Sequence, residues 1–273
     1  MSANFAALLY LVSGALFIMA LRGLSSPATV CLGCTVTGGS VHHLTEASSG
    51  QTVLLVTPDA AEVTFRYDYA NQPGAYPEAI FHPAASRHTK AAQALCDEAV
   101  QTAGDGDALT RAIRVARGVA EKFVYGHPQA KYYDGFDHVP HLASGLTEGS
   151  CVDIHTYLLA SLRAIGVEAG YVTGYFFPEG GVCTSGHCWA VTRIDGAVQE
   201  WDISHFLQID RRDVGPALNP KGGFRVPVGH SMGLSLPELG VQDLKLLVEP
   251  MVMRAGYPVR LEQKRIRHPP STL

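Results

Sequence analysis

The distribution of apolar and polar residues in the middle of the chain predicts one helix followed by three strands. Apolar residues recur at helical spacing between Ser150 and Gly166, which predicts a helix that begins at Cys151. Ser150 and Asp153 have the spacing of a capping box, and Gly166 suits the end of a helix. The segments rich in β-branched and aromatic residues, which we predict as strands, are residues 167–177, 187–194 and 197–204. The pattern therefore predicts an α+β core.

Before this core, the pattern predicts strands first and helices later. Residues 51–57 and 62–69 read as strands of a small antiparallel β unit, and residues 71–87, with three prolines, read as a linker. Residues 88–101 and 107–125 have the periodicity of two helices. We therefore expect a small β domain over 31–86 and a catalytic domain over 87–273. Its tail, from Phe206 onward, is rich in Gly and Pro, and only 241–248 is predicted as a regular element.

An almost uninterrupted apolar run covers residues 5–21. Its length is at the short limit for a helix that crosses a bilayer, and the only flanking charge is Arg22, which would keep the rest of the chain in the cytoplasm. Residues 10–27 resemble the first membrane span of the beta subunit of proton-translocating nicotinamide nucleotide transhydrogenase. We therefore expect residues 1–30 to be a leader or membrane span that tethers a cytoplasmic protein.

Composition narrows the functional classes. The chain has 273 residues, of which 47% are hydrophobic, and this suffices for a sizeable core. The formal net charge of -4 argues against nucleic acid as a partner. Six cysteines are too few for a disulfide framework in a chain of this length, so we expect free thiols in a reducing compartment. The sequence gives no oligomeric state.

Cys151 is the first candidate for chemistry. In the first turn of a helix, a thiol is close to unpaired backbone N–H groups and to the positive end of the helix dipole, and both favour the thiolate. Asp153 acts against this effect with a nearby negative charge. Taken alone, Cys151 could equally be an inert buried thiol at the end of a core helix.

A predicted hairpin adds two further candidates. The Asp195–Gly196 pair is typical of a two-residue type I′ turn. That turn fixes the register so that His187 and Asp202 become diagonal neighbours on one face of the hairpin. A carboxylate in this position can orient the imidazole and stabilise its protonated form. Together with Cys151, these residues would form the nucleophile, the base and the orienting group of covalent acyl chemistry.

Five short motifs then carry a resemblance to a family. They are Gly149-Ser150-Cys151, the run 162–169, Gly174-Tyr175, Gly186-His187-Cys188-Trp189 and Trp201-Asp202-Ile203-Ser204. Together they resemble the bacterial transglutaminase-like superfamily. The resemblance implies a papain-like core with Cys151 as nucleophile, His187 as base and Asp202 as orienting residue. Two departures are Cys188, where the family often has Ala, and Ile203-Ser204, where a proline commonly follows the aspartate.

The sequence also offers two possible sets of metal ligands and one loop that could recognise a substrate. The lone CxxC at 31–34 with His42 and His43 is a weak zinc signal, and Cys183 and Cys188 could join Cys151 and His187 as ligands. We expect no metal and no cofactor. The loop 127–147 could contact a substrate through its tyrosines and histidines, although it could also be a solvated connection.

These observations predict a thiol-dependent hydrolase of amide or peptide bonds that acts on a peptide or protein through a thioester. Two alternatives stay open at this point. One is transfer of the acyl group to an amine, which needs a second site that binds the amine and excludes water. The other is a catalytically idle module that binds a peptide or protein in the same cleft.

Overall fold

A computed structural model describes residues 9–13, 30–70, 76–143, 145–217, 220–261 and 263–267. Helices and strands alternate through these segments, and the strands are mostly antiparallel. The helices are α1 Gln93–Ala103, α2 Ala108–Glu121, α3 Cys151–Ala164 and α4 Ile203–Gln208. The predicted α+β class is confirmed.

A four-stranded antiparallel sheet is the centre of the fold, with the strand order β10-β9-β8-β11. Its strands are β8 Glu168–Pro178, β9 Gly186–Ile194, β10 Ala197–Trp201 and β11 Gly223–His230. Successive residues of a strand point to opposite faces, so Cys188 and Ala190 pack toward α3, whereas Trp189 and Val191 pack on the other face. The sheet therefore has a core on each side.

α3 is the helix predicted to begin at Cys151, and it does. Asp153 Oδ2 accepts hydrogen bonds from the backbone N of Ser150 at 2.8 Å and from its Oγ at 2.6 Å. Gly166 follows the helix with φ +81°, in the left-handed region that glycine adopts without strain. The predicted single apolar face is too narrow, however, because Asp153–Leu162 is buried throughout, with the sheet on one side and α1 and α2 on the other.

The two helices predicted over 88–101 and 107–125 are present as α1 and α2, but both are shorter. α2 ends at Glu121, and the next residues form the short strand β6 Phe123–Tyr125. This strand runs parallel to β7 Thr147–Gly149, which leads directly into α3. The β6–β7 pair therefore fixes the backbone immediately before Cys151.

The segment predicted as a linker packs onto the central sheet over its described part, residues 76–87. Tyr76, Ile80 and Phe81 are buried against Val172 and Trp189 on the face opposite α3. A short 3-10 turn, Glu78–Ile80, presents these side chains. Residues 71–75 lie outside the described residues.

The remaining strands form smaller sheets. A five-stranded sheet has the order β15-β14-β1-β4-β3, and two pairs are β2–β5 and β12–β13. The bounds are β1 Leu9–Ser13, β2 Val30–Thr37, β3 Gly39–Thr45, β4 Thr52–Pro58, β5 Thr64–Ala70, β12 Leu234–Leu236, β13 Val241–Leu244, β14 Met251–Arg254 and β15 Tyr257–Arg260. The strands predicted at 51–57 and 62–69 are confirmed as β4 and β5. The division into domains at residues 30 and 86 stays a prediction.

The tail holds more regular structure than predicted. Only 241–248 was expected to be regular, whereas α4, β11, β12, β14 and β15 lie there as well. β11 joins β8 of the central sheet in the register Gly174↔Pro227 and Phe176↔Arg225. A Cβ on Gly174 would lie 2.0 Å from the carbonyl oxygen of Val226, so glycine is needed for the two strands to approach this closely.

The structure describes only a short part of the predicted membrane span. Within the apolar run 5–21, residues 9–13 form β1, which pairs with β4 and β14 in a sheet, and not a helix. The rest of the run, and most of the stretch that resembles a transhydrogenase span, lie outside the described residues. In the parts of the chain that the structure describes, no helix has the length and apolar character required to cross a bilayer.

Candidate active site

The candidate nucleophile is held at the first position of α3. The Cys151 side chain is 7% exposed and packs in the main core between α3 and the sheet. Ser150 occupies the cap position before it, with extended backbone angles. The thiol therefore lies at the positive end of a buried 14-residue helix, which favours the thiolate.

His187 and Asp202 meet beside the first residues of β9. His187 Nε2 donates a hydrogen bond of 2.7 Å to Asp202 Oδ2, and both side chains are buried. The predicted hairpin register is confirmed, since Ala197 pairs with Ile194 and Trp201 with Ala190. The strand predicted over 197–204 is nevertheless too long: β10 ends at Trp201.

Beyond β10 the chain turns into a helix. Asp202 is the N-cap residue of α4, and its Oδ1 accepts hydrogen bonds from the backbone N of His205 at 3.1 Å and from Ser204 Oγ at 2.6 Å. The strand ends early because of this cap. The Asp202 carboxylate accepts from a backbone N–H that would, in a longer strand, bond to a neighbouring strand. Asp202 thus reaches His187 from a helix start, and not from a diagonal position on the hairpin.

The structure brings Cys151 to the same place. Its thiol lies close enough to His187 and Cys188 for both side chains to lower the pKa of the thiol. Because His187 Nε2 is bonded to Asp202, Nδ1 is the ring nitrogen left for the thiol. The three residues singled out from sequence therefore form one continuous row, from thiol to imidazole to carboxylate.

These contacts set the charge states. The hydrogen bond with Cys188, followed by the hydrogen bond and charge of His187, holds the pKa of Cys151 well below that of an ordinary thiol, although burial acts in the opposite direction. Burial alone would lower the pKa of His187, but the charge and hydrogen bond of Asp202 raise it to about 9. At neutral pH the arrangement favours a thiolate beside an imidazolium.

A second ring and a guanidinium surround the carboxylate. Arg225, from β11, donates through Nη2 to Asp202 Oδ2 and also to His205 Nδ1, the latter at 2.7 Å. The His205 ring is stacked on that of His187, with centroids 4.4 Å apart and an interplanar angle of 14°. Burial would raise the pKa of Asp202, but the positive charges of His187 and Arg225 keep it well below its usual range. Burial lowers the pKa of His205 to about 3, so this ring is neutral.

Two further buried side chains, His155 and Cys188, lie beside the row of Cys151, His187 and Asp202. His155 lies one helical turn after Cys151, is fully buried, and has Nε2 3.6 Å from Asp202 Oδ1. Cys188 Sγ lies 3.7 Å from His155 Nδ1. Burial lowers the pKa of His155, so it is a neutral ring beside the row.

Sequence reasoning missed four of these neighbours. His155 could have been found, because residues four apart share a helix face and His155 is four after Cys151. From sequence, Cys188 is only a departure from the family pattern and a possible metal ligand. Arg225 and His205 gave no local signal, since they reach the site through the helix and strand of a tail that was predicted to be mostly irregular.

The site contains a set of possible metal ligands that differs from the two sets considered from sequence. His187, Asp202 and His205 offer three ligand atoms within 4.8 Å of one another, the single such group among the residues that the structure describes. Arg225 already donates to both Asp202 and His205. A guanidinium bonded to two of the three ligands would repel a cation placed there and compete for its lone pairs.

Cys183 is separate from this group. It packs against Tyr175 and Val228, and its Sγ donates to the carbonyl of Ser185 at 3.4 Å. The four-ligand set with Cys151, His187 and Cys188 therefore lacks one member.

The loop 127–147 holds the start of α3 and leaves fewer groups for recognition than its composition suggested. Tyr133 donates to Asp153 Oδ1 at 2.6 Å, and Tyr132 donates to the carbonyl oxygen of Asp153 at 3.1 Å. His141 Nε2 lies 3.1 Å from Glu98 Oε2, so it is tied to α1. Both tyrosines thus hold the first turn that carries Cys151.

Comparison with known proteins bears on this geometry. Residues 93–201 match the family model described as the transglutaminase-like superfamily. The matched stretch includes Cys151 and His187 and stops one residue before Asp202.

Solved structures similar to the chain include two candidate proteases. One, a candidate cysteine protease from Cytophaga hutchinsonii, is 12% identical, with a TM-score of 0.44 over 96% of this chain and 93% of that one. The other, a candidate protease from Parabacteroides distasonis, is 12% identical, with a TM-score of 0.31 over 61% of this chain and 36% of that one. A comparison with curated proteins gave no match. The similarity to the transglutaminase-like superfamily therefore rests on the family model over residues 93–201.

Proposed function

We propose that the protein hydrolyses amide or peptide bonds through a thioester on Cys151. The observation that carries the proposal is the row of three groups at the start of α3. His187 is bonded through Nε2 to Asp202 at 2.7 Å, and its other side is close enough to the Cys151 thiol for each group to shift the pKa of the other. Nucleophile, base and orienting carboxylate in hydrogen-bond contact are the requirements for covalent acyl transfer.

The first half of the reaction forms the thioester. The Cys151 thiolate attacks the carbonyl carbon of the substrate, and the electron pair moves to the carbonyl oxygen. The backbone N–H of Cys151, in the first turn of α3, is available as one donor to this oxyanion. The carbon–nitrogen bond then breaks, and the imidazolium of His187 gives its proton to the leaving amine.

The second half consumes water. Neutral His187 takes a proton from a water molecule, whose oxygen attacks the thioester carbon. The carbon–sulfur bond breaks, the acid product leaves, and the thiolate–imidazolium pair is restored. Asp202 keeps the ring oriented throughout and stabilises its charged form.

We favour water over an amine as the acceptor. A site for a lysine ammonium would need a free carboxylate beside Cys151. Asp153 is buried and already accepts from Ser150 and Tyr133. Its side chain is therefore committed to holding the first turn of α3.

Selective alkylation tests the activated thiol directly. We would treat the full chain with iodoacetamide at neutral pH and map the labelled peptides. Cys151 is expected to react faster than Cys96, because burial and Asp97 raise the pKa of Cys96. His187→Gln should slow the labelling of Cys151 and leave Cys96 unchanged. Equal labelling of the two cysteines in the unmodified protein would contradict the proposal.

A peptide library identifies the acceptor. Incubation with glutamine-containing peptides and an excess of a primary amine should release hydrolysed product in preference to amine conjugates. Dominant incorporation of the amine would assign transfer in place of hydrolysis. If neither product forms across the library and Cys151→Ser keeps full biological activity, the protein is a binding module.

A further inference from the structure

Arg225 is buried in an unusual position for a cation. Its side chain is fully buried, and its guanidinium carbon lies 5.1 Å from the centre of the Phe176 ring. Nη2 makes both hydrogen bonds, to Asp202 and to His205, whereas Nε and Nη1 have no hydrogen bond to any residue in the described segments. A buried charge with two unsatisfied nitrogens costs stability. Polar groups that cost stability in this way are expected mainly at functional sites.

We propose that Arg225 is a positioning residue, which fixes the Asp202 carboxylate for His187 and prevents His205 from competing for it. This inference rests on the proposed function, because it assigns Arg225 a part in the same row of groups. It also makes β11, outside the family-matched stretch, a necessary component of the site.

The first part of the inference follows from the donors around Asp202. Oδ1 accepts from Ser204 Oγ and the backbone N of His205, and Oδ2 accepts from His187 and Arg225. With Arg225 removed, only His187 would remain on Oδ2. The carboxylate would then lose the contact that keeps this oxygen turned toward β9 and β11.

The second part follows from the tautomer of His205. His205 Nδ1 lies 3.3 Å from Asp202 Oδ2, nearly the distance of a hydrogen bond. It does not donate there, because Arg225 donates to Nδ1, which must therefore carry a lone pair. The proton of the neutral ring is thus on Nε2. Without Arg225, Nδ1 could take the proton and donate to the oxygen that His187 uses.

The charge of Arg225 acts on the whole row. The titratable or charged groups facing His187 and Asp202 are Cys151 and His155 from α3, Cys188 from β9, His205 from α4, Arg225 from β11 and Tyr125 from β6. Glu200, from β10, acts on Arg225. Arg225 is a permanent cation among them, whereas His155 and His205 are neutral. Loss of this cation makes a thiolate less favourable and an imidazolium more favourable, so both groups should hold their protons to higher pH.

The test uses the alkylation rate of Cys151 by iodoacetamide as a function of pH, in the full chain. In Arg225→Met and Arg225→Gln, we expect the midpoint of the profile to move up by about 1 pH unit, from a Coulomb energy of one to two kcal/mol across the site. Arg225→Lys keeps the charge and should stay close to the unmodified protein. Arg163→Met is the matched control: Arg163 donates to the carbonyl of Ala169 away from the site, and its loss should lower stability without moving the midpoint.

A spectroscopic readout separates positioning from simple stabilisation. In protein labelled with 15N-histidine, the His205 ring should carry its proton on Nε2, and Arg225→Met should move it to Nδ1. His205→Phe assigns the signals. An unchanged midpoint in both neutral variants, or a proton on Nδ1 in the unmodified protein, would overturn the inference. If Cys151 of the unmodified protein is alkylated no faster than Cys96, the proposed function itself is wrong. That outcome is distinct from an unchanged midpoint in the Arg225 variants, which contradicts only the role of Arg225.

Discussion

The two ends of the catalytic row are built in different ways. The thiol end depends on consecutive residues: Ser150 and Asp153 cap α3, and Cys151 is the next residue after the cap. The carboxylate end depends on three separate elements, since Asp202 begins α4, His187 comes from β9, and Arg225 comes from β11. Local sequence therefore places the nucleophile, whereas long-range packing sets the environment of the aspartate.

The two ends also differ in what their loss should do to the protein. Cys151 is a small thiol at the edge of the core, so its truncation removes little packing. Asp202 is the only anion that accepts from Arg225 in the described segments, so its neutralisation leaves a buried cation without its counterion. The thiol end should thus govern chemistry alone, and the carboxylate end both chemistry and stability.

Cys151→Ala tests the thiol end and has the largest expected effect. Hydrolysis of a responsive peptide should fall by at least ~10³-fold, because the thiol that forms the thioester is removed. The melting temperature should stay close to that of the unmodified protein. Retained hydrolysis would show that Cys151 is not the nucleophile. A large loss of stability would contradict the expectation that the thiol end affects chemistry alone.

Asp202→Asn tests the carboxylate end. Loss of the orienting charge should lower kcat/KM by about 10²–10⁴-fold. Because Arg225 loses its counterion, unfolding should also become easier by about 3–5 kcal/mol in a denaturant titration. Asp213→Asn is the control, since Asp213 is an exposed partner of Arg211 and should change neither quantity. An Asp202→Asn protein of normal stability would contradict the role given to the Arg225 pair.

The pH dependence should show both ends in one measurement. kcat/KM should rise as Cys151 loses its proton below the usual pH range of a thiol and fall as His187 loses its proton at about pH 9.

Stability should follow the same groups. The pKa of His187 is raised on folding, so its contribution is fully present below its unfolded value of about 6.5 and is lost as pH rises through about 9. The pKa of Asp202 is lowered, so its contribution is present above about 3.9 and is lost as pH falls through the lower folded value. In Asp202→Asn, the contributions of His187 and of residue 202 to the pH dependence of stability should both weaken. An unaltered pH–stability curve would contradict the ion pair between His187 and Asp202.

Cys188→Ala has the smallest expected effect and tests the link between the two ends. Removing its hydrogen bond should raise the pKa of Cys151, because that bond is the largest influence holding the pKa down. Alkylation should therefore slow on the acidic side of the profile and stay unchanged at high pH. Cys183→Ala, at a buried cysteine away from the row, should leave the profile as it is. Identical profiles for the two variants would mean that Cys188 only fills space.

The thiol end of the site could be predicted from sequence more fully than the carboxylate end. The start of α3 and the register of the β9–β10 hairpin are encoded by caps and turns within a few residues, and both predictions are confirmed. The end of β10 at Trp201 was missed, because the periodicity of a strand does not show where an N-cap takes over. β11 was missed because Pro227 and two glycines interrupt its pattern, and because its pairing with β8 joins segments about 50 residues apart. Arg225 could not be found without that pairing.

The five-stranded sheet has a consequence for how the protein is made. β1, at residues 9–13, pairs on one edge with β4 and on the other with β14, whose residues are added about 240 positions later. Ribosomes add roughly 5–20 residues per second, so β1 waits roughly 10–50 s for its second neighbour. During that time its apolar sequence, Leu-Tyr-Leu-Val, has an open edge that another nascent chain could occupy. Emergence of β14 from the ribosome is therefore the step that gives β1 its second neighbour.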